Sequence, residues 1–509
     1  MTCHSGVPTG TDGRSAKRWT LVATILASSM TFIDGTVVNV ALPALQRNLG
    51  ATITDVQWVV EAYALFLGAL ILVGGSLGDQ LGRKRVFLFG VISFTAASVV
   101  CGFAPTALVL IIGRGLQGIG AGFLVPGSLA IISAAFSGAA RGQAIGTWSG
   151  FSAITTAIGP VLGGWFIEHV SWRAVFFINV PLAAIVVLLA PQIEESRDPS
   201  RTGAIDWLGA ACAVVGLSGI VLGLLEWPPL GATHPLVVAS LIVGVVWLAA
   251  LVVIERRAAN PMIPRGIFRS RPFTLANVLT LFLYAALAEA MFLLPMDLIQ
   301  VHDYTATMAG AALLPFSVIM FVLSRWSGGL VARVGSRLPL TIGPLVAGAG
   351  FALFGLSTNG HSFMTSVLPA VVVLGLGMAI AVAPLTTTVM NSVPSEHSGV
   401  ASGVNNAVSR VAGLLAIAVF GVIVSRTFEA RVNPRLARIE LSAEARAGVL
   451  RELPKMAGAN VRSIRALPAD RRGAVDAAID DSFSWAFRVA MFGSAILALA
   501  AAIVGFGIV

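Results

Sequence analysis

Gly75-Ser-Leu-Gly-Asp-Gln-Leu-Gly-Arg-Lys-Arg85 is a short, glycine-rich basic turn between two apolar stretches, 56–78 and 86–104. Each stretch meets the roughly 20 mostly apolar residues that a bilayer-spanning helix requires. Working outward, the same alternation continues on the N-terminal side with 20–43 and on the C-terminal side with 107–134, 144–167, 174–190 and 206–226. It resumes with 235–254, 274–296, 306–330, 338–357, 364–390, 398–424 and 484–508, which makes fourteen windows. A chain of 509 residues that is 56% hydrophobic and only 11% charged cannot hide its apolar surface in one water-soluble core. Lipid must serve as its solvent, so the expected fold is an all-α integral membrane protein.

Charge sets the parity of the count. With a cytoplasmic N-terminus, Arg14, Lys17, Arg18, Arg83, Lys84, Arg85, Arg141, Arg197, Arg201, Arg256, Arg257, Arg265, Arg269, Arg271, Arg333 and Arg337 all fall on the inner side. The short outer loops hold little more than Arg47 and Arg173. That asymmetry follows the positive-inside rule and puts both termini in the cytoplasm of a multi-pass cell (inner) membrane protein. Net charge +9 is therefore topology and not a nucleic-acid surface. Three scattered cysteines, Cys3, Cys101 and Cys212, make neither a disulfide framework nor a metal site. No Gly-x-x-x-x-Gly-Lys-Ser/Thr loop is present, and no cofactor is expected.

These signals divide the chain into an N-terminal tail 1–18, a six-helix bundle 19–190, a cytoplasmic linker 191–204, two additional helices 205–255 and a second six-helix bundle 256–509. The last bundle carries a polar segment, 426–481, that parity places outside the cell, with short amphipathic helices expected in it. An offset of 253 residues lays Gly75, Leu77 and Gly82 on Gly328, Leu330 and Gly335, and Lys84 on Arg337. Duplicated halves with a site between them near the midplane are a common transporter plan.

Six motifs in order resemble the fourteen-helix drug:proton antiporter family of the major facilitator superfamily, over nearly the whole chain. The opening turn resembles the superfamily's loop signature. Arg114-Gly-Leu-Gln-Gly118 resembles its signature in the fourth helix, and Gly159-Pro-Val-Leu-Gly-Gly164 the antiporter signature of the fifth. Asp34-Gly-Thr-Val-Val-Asn-Val-Ala-Leu-Pro43, Trp58 through Tyr63, and Trp172-Arg173 with Asn179-Val-Pro181 are similar to the fourteen-helix group. The resemblance implies a major facilitator fold of pseudo-symmetric halves, six plus two plus six helices. It also implies an inner gate at Gly75, Asp79, Gly82, Arg83, Lys84 and Arg141, and a face at Gly159, Pro160, Gly163 and Gly164 tied to the direction of transport. Gln80 and Ala332 depart from the family's latch residues. The plainer readings are that the basic turn only fixes topology and that the glycine face only packs helices.

An ionisable side chain in the membrane costs at least about 2.5–3.5 kcal/mol on insertion scales, so it is retained for a partner or a task. Asp34, Glu61, Arg114, Glu289 and Arg410 are the candidates. At 1.5 Å per residue, Asp34, Glu61 and Arg114 fall in one layer of the outer half. The expectation is an acidic site of Asp34 and Glu61, with Arg114 as a counter-ion that protonation releases; Glu289 joins them as a proton-coupling residue. A purely structural salt bridge to Arg114 is the alternative. Asn39, Trp58, Tyr63, Gln117, Asn405, Asn406 and Arg410 suit an adaptable apolar cavity.

The functional expectation is a secondary active exporter exchanging protons for small amphiphilic, cationic drugs or metabolites, working as a monomer and not as an enzyme. One alternative is an exporter of an endogenous lipid, siderophore or antibiotic that docks a periplasmic adaptor. A membrane sensor or enzyme is the remote one.

Overall fold

The computed structural model describes residues 12–197, 207–257, 266–356, 363–393 and 398–508. The tail 1–11 with Cys3, linker residues 198–204, Arg201 and Arg265 lie outside the described residues, as do the side chains of Arg14 and Arg141. The first half comprises α1 (Asp12–Leu49), α2 (Ile53–Leu81), α3 (Arg83–Phe103), α4 (Ala107–Ala135), α5 (Gly138–His169), the single turn α6 (Ala174–Phe177) and α7 (Asn179–Leu189). Next come α8 (Trp207–Leu225), the turn α9 (Trp227–Leu230) and α10 (Pro235–Arg257). The second half comprises α11 (Arg271–Gln300), α12 (Ala306–Ala312), α13 (Leu314–Gly328), α14 (Leu330–Val334), α15 (Arg337–Leu356), α16 (Val367–Asn391), α17 (Ser398–Ala437), α18 (Ala443–Glu452) and α19 (Ala469–Phe506). Among the described residues there is no strand.

Thirteen helices are long and apolar enough to cross a membrane among the described residues. The remaining sequence window, 144–167, falls within the 32-residue α5. Helix starts follow local chemistry. Thr52 and Asp55 form a reciprocal capping box at α2, and the Thr106, Ser270 and Thr305 hydroxyls accept the first free N–H groups of α4, α11 and α12.

Lipid supplies no hydrophobic drive between helices, so close approach relies on small residues. A Cβ on Gly118 would lie 2.5 Å from the Tyr63 carbonyl, and one on Gly120 2.5 Å from the Phe94 nitrogen. Glycines of α4 thus let α2 and α3 close on both of its sides. The extra pair packs likewise: Gly219 of α8 abuts Gly244 of α10. Trp58 and Leu65 of α2 share an apolar cluster with Leu217 and Val221 of α8 and Leu414 of α17, so the added helices lie against the seam between α2 and α17.

The repeat carries through to the backbone. Gly82 has φ +117° and Gly335 has φ +74°, so each duplicated turn breaks its helix at a position that L side chains adopt only with strain. The segment expected as a loop over 426–481 is shorter. α17 continues to Ala437 and α19 begins at Ala469, because Arg435 reaches Asp481 at 2.6 Å and Arg431 lies over Trp485, zipping the two helices beyond the apolar windows. Between them sit α18 and two 3-10 turns, Leu453–Gly458 and Val461–Ser463.

Candidate functional site

Asp34 of α1 and Arg114 of α4 are both fully buried and form an ion pair. Arg114 also donates from Nε to the Val59 carbonyl at 3.0 Å and from Nη1 to Gln117 Oε1 at 2.7 Å, and its guanidinium lies 4.3 Å from the centre of the Tyr63 ring. Gln117 Nε2 donates to Asp34 Oδ1 at 2.7 Å and to Ser98 Oγ at 3.2 Å; Asn179 Nδ2 donates to the same hydroxyl at 2.9 Å. Ser98 in turn donates to the Phe176 carbonyl at 2.9 Å. One-turn spacing on α4 places Arg114 and Gln117 on one face, so the two side chains grip Asp34 together.

Glu61 does not join this network. It is fully buried, neither carboxylate oxygen has a hydrogen-bond partner, and the charge within its electrostatic reach is Glu289 of α11. Glu289 is buried too, with Oε2 unpartnered. The expected three-residue site therefore divides: Arg114 is committed to Asp34, while Glu61 lies within electrostatic reach of Glu289 in the other half. The register agrees. Asp34 precedes Gln46 by twelve residues and Glu289 precedes Gln300 by eleven, about 18 and 16 Å at 1.5 Å per residue.

Those two glutamines mark the closed end. Gln300 Nε2 donates to Gln46 Oε1 at 2.7 Å, joining α11 to α1, and Gln46 Nε2 donates to the Lys455 carbonyl at 3.1 Å. Gly458 is so close that a Cβ would lie 2.7 Å from Gln46 Oε1. Met456, buried between them, has φ +52°, a strained backbone for a residue with a side chain. At the same rim the Thr307 hydroxyl of α12 donates to Glu168 of α5 and holds its carboxyl below the usual range. A hydrogen bond to Asp297 raises the His302 imidazole above its ordinary value.

The glycine face of α5 lies along the same closure. A Cβ on Gly163 would meet Val37 of α1 at 2.1 Å, one on Gly164 the Ala306 carbonyl of α12 at 2.4 Å, and one on Gly159 the Thr36 hydroxyl at 2.2 Å. A Cβ on Gly310 of α12 would lie 2.2 Å from the Pro160 carbonyl. At the opposite end, Arg83 pairs with Asp79 at 2.9 Å. Glu195 of the linker accepts from the Lys84 N–H at 3.1 Å and lies 3.7 Å from Arg85. A Cβ on Gly82 would meet its carboxylate at 2.7 Å, while Gly75 lies against Pro126 of α4. The basic turn is thus tied to its own half and linker through Glu195, a partner sequence reasoning missed.

Of the expected cavity residues, Asn405 of α17 donates to Thr280 Oγ1 at 2.7 Å and to Asn277 Oδ1 at 3.2 Å. Arg410 is exposed and stands within electrostatic reach of Tyr63 and Tyr284, with Gly68 of α2 against its Cβ. Asn406 is exposed and Asn39 half-buried, whereas Trp58 packs toward α8. Among the described residues no group of three or more His, Cys, Asp or Glu side chains is placed to hold a metal.

A family model described as Major Facilitator Superfamily matches residues 24–417. The chain belongs to the major facilitator superfamily. It is an integral membrane protein with multiple spans. Multidrug resistance protein Stp of Mycobacterium tuberculosis (strain CDC 1551 / Oshkosh) is 34% identical over 420 residues, 82% of this chain and 78% of that protein. The tetracenomycin C resistance and export protein of Streptomyces glaucescens is 33% identical, covering 83% and 79%. The lincomycin resistance protein of Streptomyces lincolnensis is 32% identical, covering 80% and 84%. A bacterial homologue of the human lysosomal transporter Spinster, solved inward-facing and unoccupied, shares the fold at TM-score 0.69 and 16% identity, covering 99% of both chains.

Proposed function

We propose that this major facilitator protein is a proton-coupled exporter of small amphiphilic, cationic drugs or metabolites. The observation that carries the reading is the pair Glu61 and Glu289, contributed by opposite halves, both buried, with three of their four oxygens unpartnered. A carboxylate in such a place is costly unless neutralised. A proton or a cationic group of the cargo relieves that cost equally well, so the two compete for one site. Competition of this kind is what exchange requires: protons arriving from outside displace the cargo, and cargo arriving from inside displaces protons.

Asp34, held by Arg114 and Gln117, serves as the fixed side of the site. Closure across Gln46, Gln300 and the Lys455–Gly458 turn seals the outer end. Alternating access then consists of opening that seal while the Asp79 and Arg83 turn closes the inner end. Each proton moving inward supplies about 2.3 kcal/mol per 100 mV. Export of antibiotics is supported by the names of the relatives; six plus two plus six helices and cytoplasmic termini complete the proposal.

The test is transport of cationic dyes in everted vesicles. Glu61→Gln and Glu289→Gln are each expected to uncouple dye uptake from proton release, and the double variant to abolish exchange at normal protein levels. Dye-for-proton exchange at the wild-type rate in the double variant would overturn the assignment.

A further inference from the structure

An apolar groove stands apart from these acids. It lies on the lipid-facing side where α11, α17 and α19 meet, has a volume of about 700 Å³, and is lined by apolar side chains with a single exception, Arg488. Phe282 and Ala285 form its floor; Val419, Ile423, Phe492 and Ile496, 38–66% exposed, form its walls. From Trp485 to Leu497 it follows α19 for twelve residues, about 18 Å. That is close to the depth of one leaflet, half of about 30 Å.

The mouth of the groove is cationic. α19 carries no charged residue from Val489 to Gly505, and α17 none from Val411 to Ser425, so Arg488 and the Arg426-to-Arg435 turns stand where the apolar belt ends. Arg426 faces Glu429 at 3.7 Å and Arg435 faces Asp481 at 2.6 Å. Arg431 instead lies over the Trp485 ring, 4.5 Å from its centre, and its Nε is buried without a hydrogen-bond acceptor. Trp485 also lines the groove. An arginine with an unspent donor, a second arginine in the groove wall and an interfacial tryptophan between them form a mouth suited to a phosphodiester.

We propose that this groove binds one acyl chain of an anionic phospholipid from the leaflet at the Ala437 and Ala469 ends of α17 and α19, with Arg431 and Arg488 holding its phosphate. The site is separate from the exchange site and does not depend on what the protein exports. Its two requirements are distinct: groove shape selects a chain, and the two arginines select the headgroup.

Native mass spectrometry of the full-length protein, with phosphatidylglycerol and phosphatidylcholine of identical chains supplied together, tests both. One phosphatidylglycerol is expected to be retained over phosphatidylcholine by about tenfold, equivalent to about 1.4 kcal/mol. Arg431→Gln with Arg488→Gln should erase that preference, and each change alone should reduce it, which decides the matter if the double variant does not fold. Val419→Trp, placed on the exposed wall, should lower retention of both lipids alike. Equal retention of the two lipids by the wild-type protein would mean an ordinary lipid annulus and overturn the proposal. So would an unchanged preference in the arginine variants, or stoichiometric displacement of the lipid by a cationic dye, which would make the groove a cargo site.

Discussion

Arg114 carries five N–H donors into the buried interior, which is why an ion pair, a carbonyl, an amide and an aromatic ring all converge on it. Removing one partner of such a pair leaves an uncompensated buried charge, at a cost of about 3–5 kcal/mol, whereas removing both charges costs less. Arg114→Gln is therefore expected to lower the thermal unfolding temperature in detergent more than Asp34→Asn with Arg114→Gln does. If the single variant is the more stable of the two, Asp34 is not held by this pair. The charged residues themselves were legible in sequence, because each is conspicuous in an apolar helix. Their pairing was not: Asp34 and Glu61 have the same charge and similar sequence distance from the ends of their helices, and only the packed structure gives Arg114 to Asp34 and leaves Glu61 without a hydrogen-bond partner.

At the scale of elements, the contact between α5 and α12 joins the two halves through glycine. The fifth-helix motif was recognisable as a smooth face, but nothing in its spacing shows that Gly163 meets the first helix while Gly164, one residue on, meets the opposite half. Gly310→Val is expected to force α12 from the Pro160 carbonyl, costing about 1–3 kcal/mol as an overpacked contact. Gly35→Ala, with open space around its Cβ position, should be tolerated. Both are read by thermal unfolding, and equal behaviour of the two would remove the closure argument. The long helices α17 and α19 show the limit of hydropathy: their charged ends pair with each other beyond the apolar windows, so composition placed the start of the loop about twelve residues too early and its end about thirteen too late.

For the whole molecule, the proposed topology has the Lys455–Gly458 turn outside the cell and the end of α16 inside. In a background lacking Cys3, Cys101 and Cys212, a membrane-impermeant maleimide should label Ser463→Cys on intact cells and Ser392→Cys only after permeabilisation. The reverse pattern would invert the topology and, with it, the direction of the proposed exchange.

The sequence by itself determined that this chain lives in lipid, is helical, repeats itself and keeps a handful of charges where charges are expensive, because each of those follows from composition and spacing along one dimension. Only the tertiary structure decided which charges neutralise one another, that the turn over Gln46 and Gln300 closes one end, and that Glu61 and Glu289 are buried in separate halves with carboxylate oxygens left unpartnered. The reason is physical: energies of burial are set by the local residue type, while Coulomb interactions and hydrogen bonds depend on distance and direction between segments hundreds of residues apart.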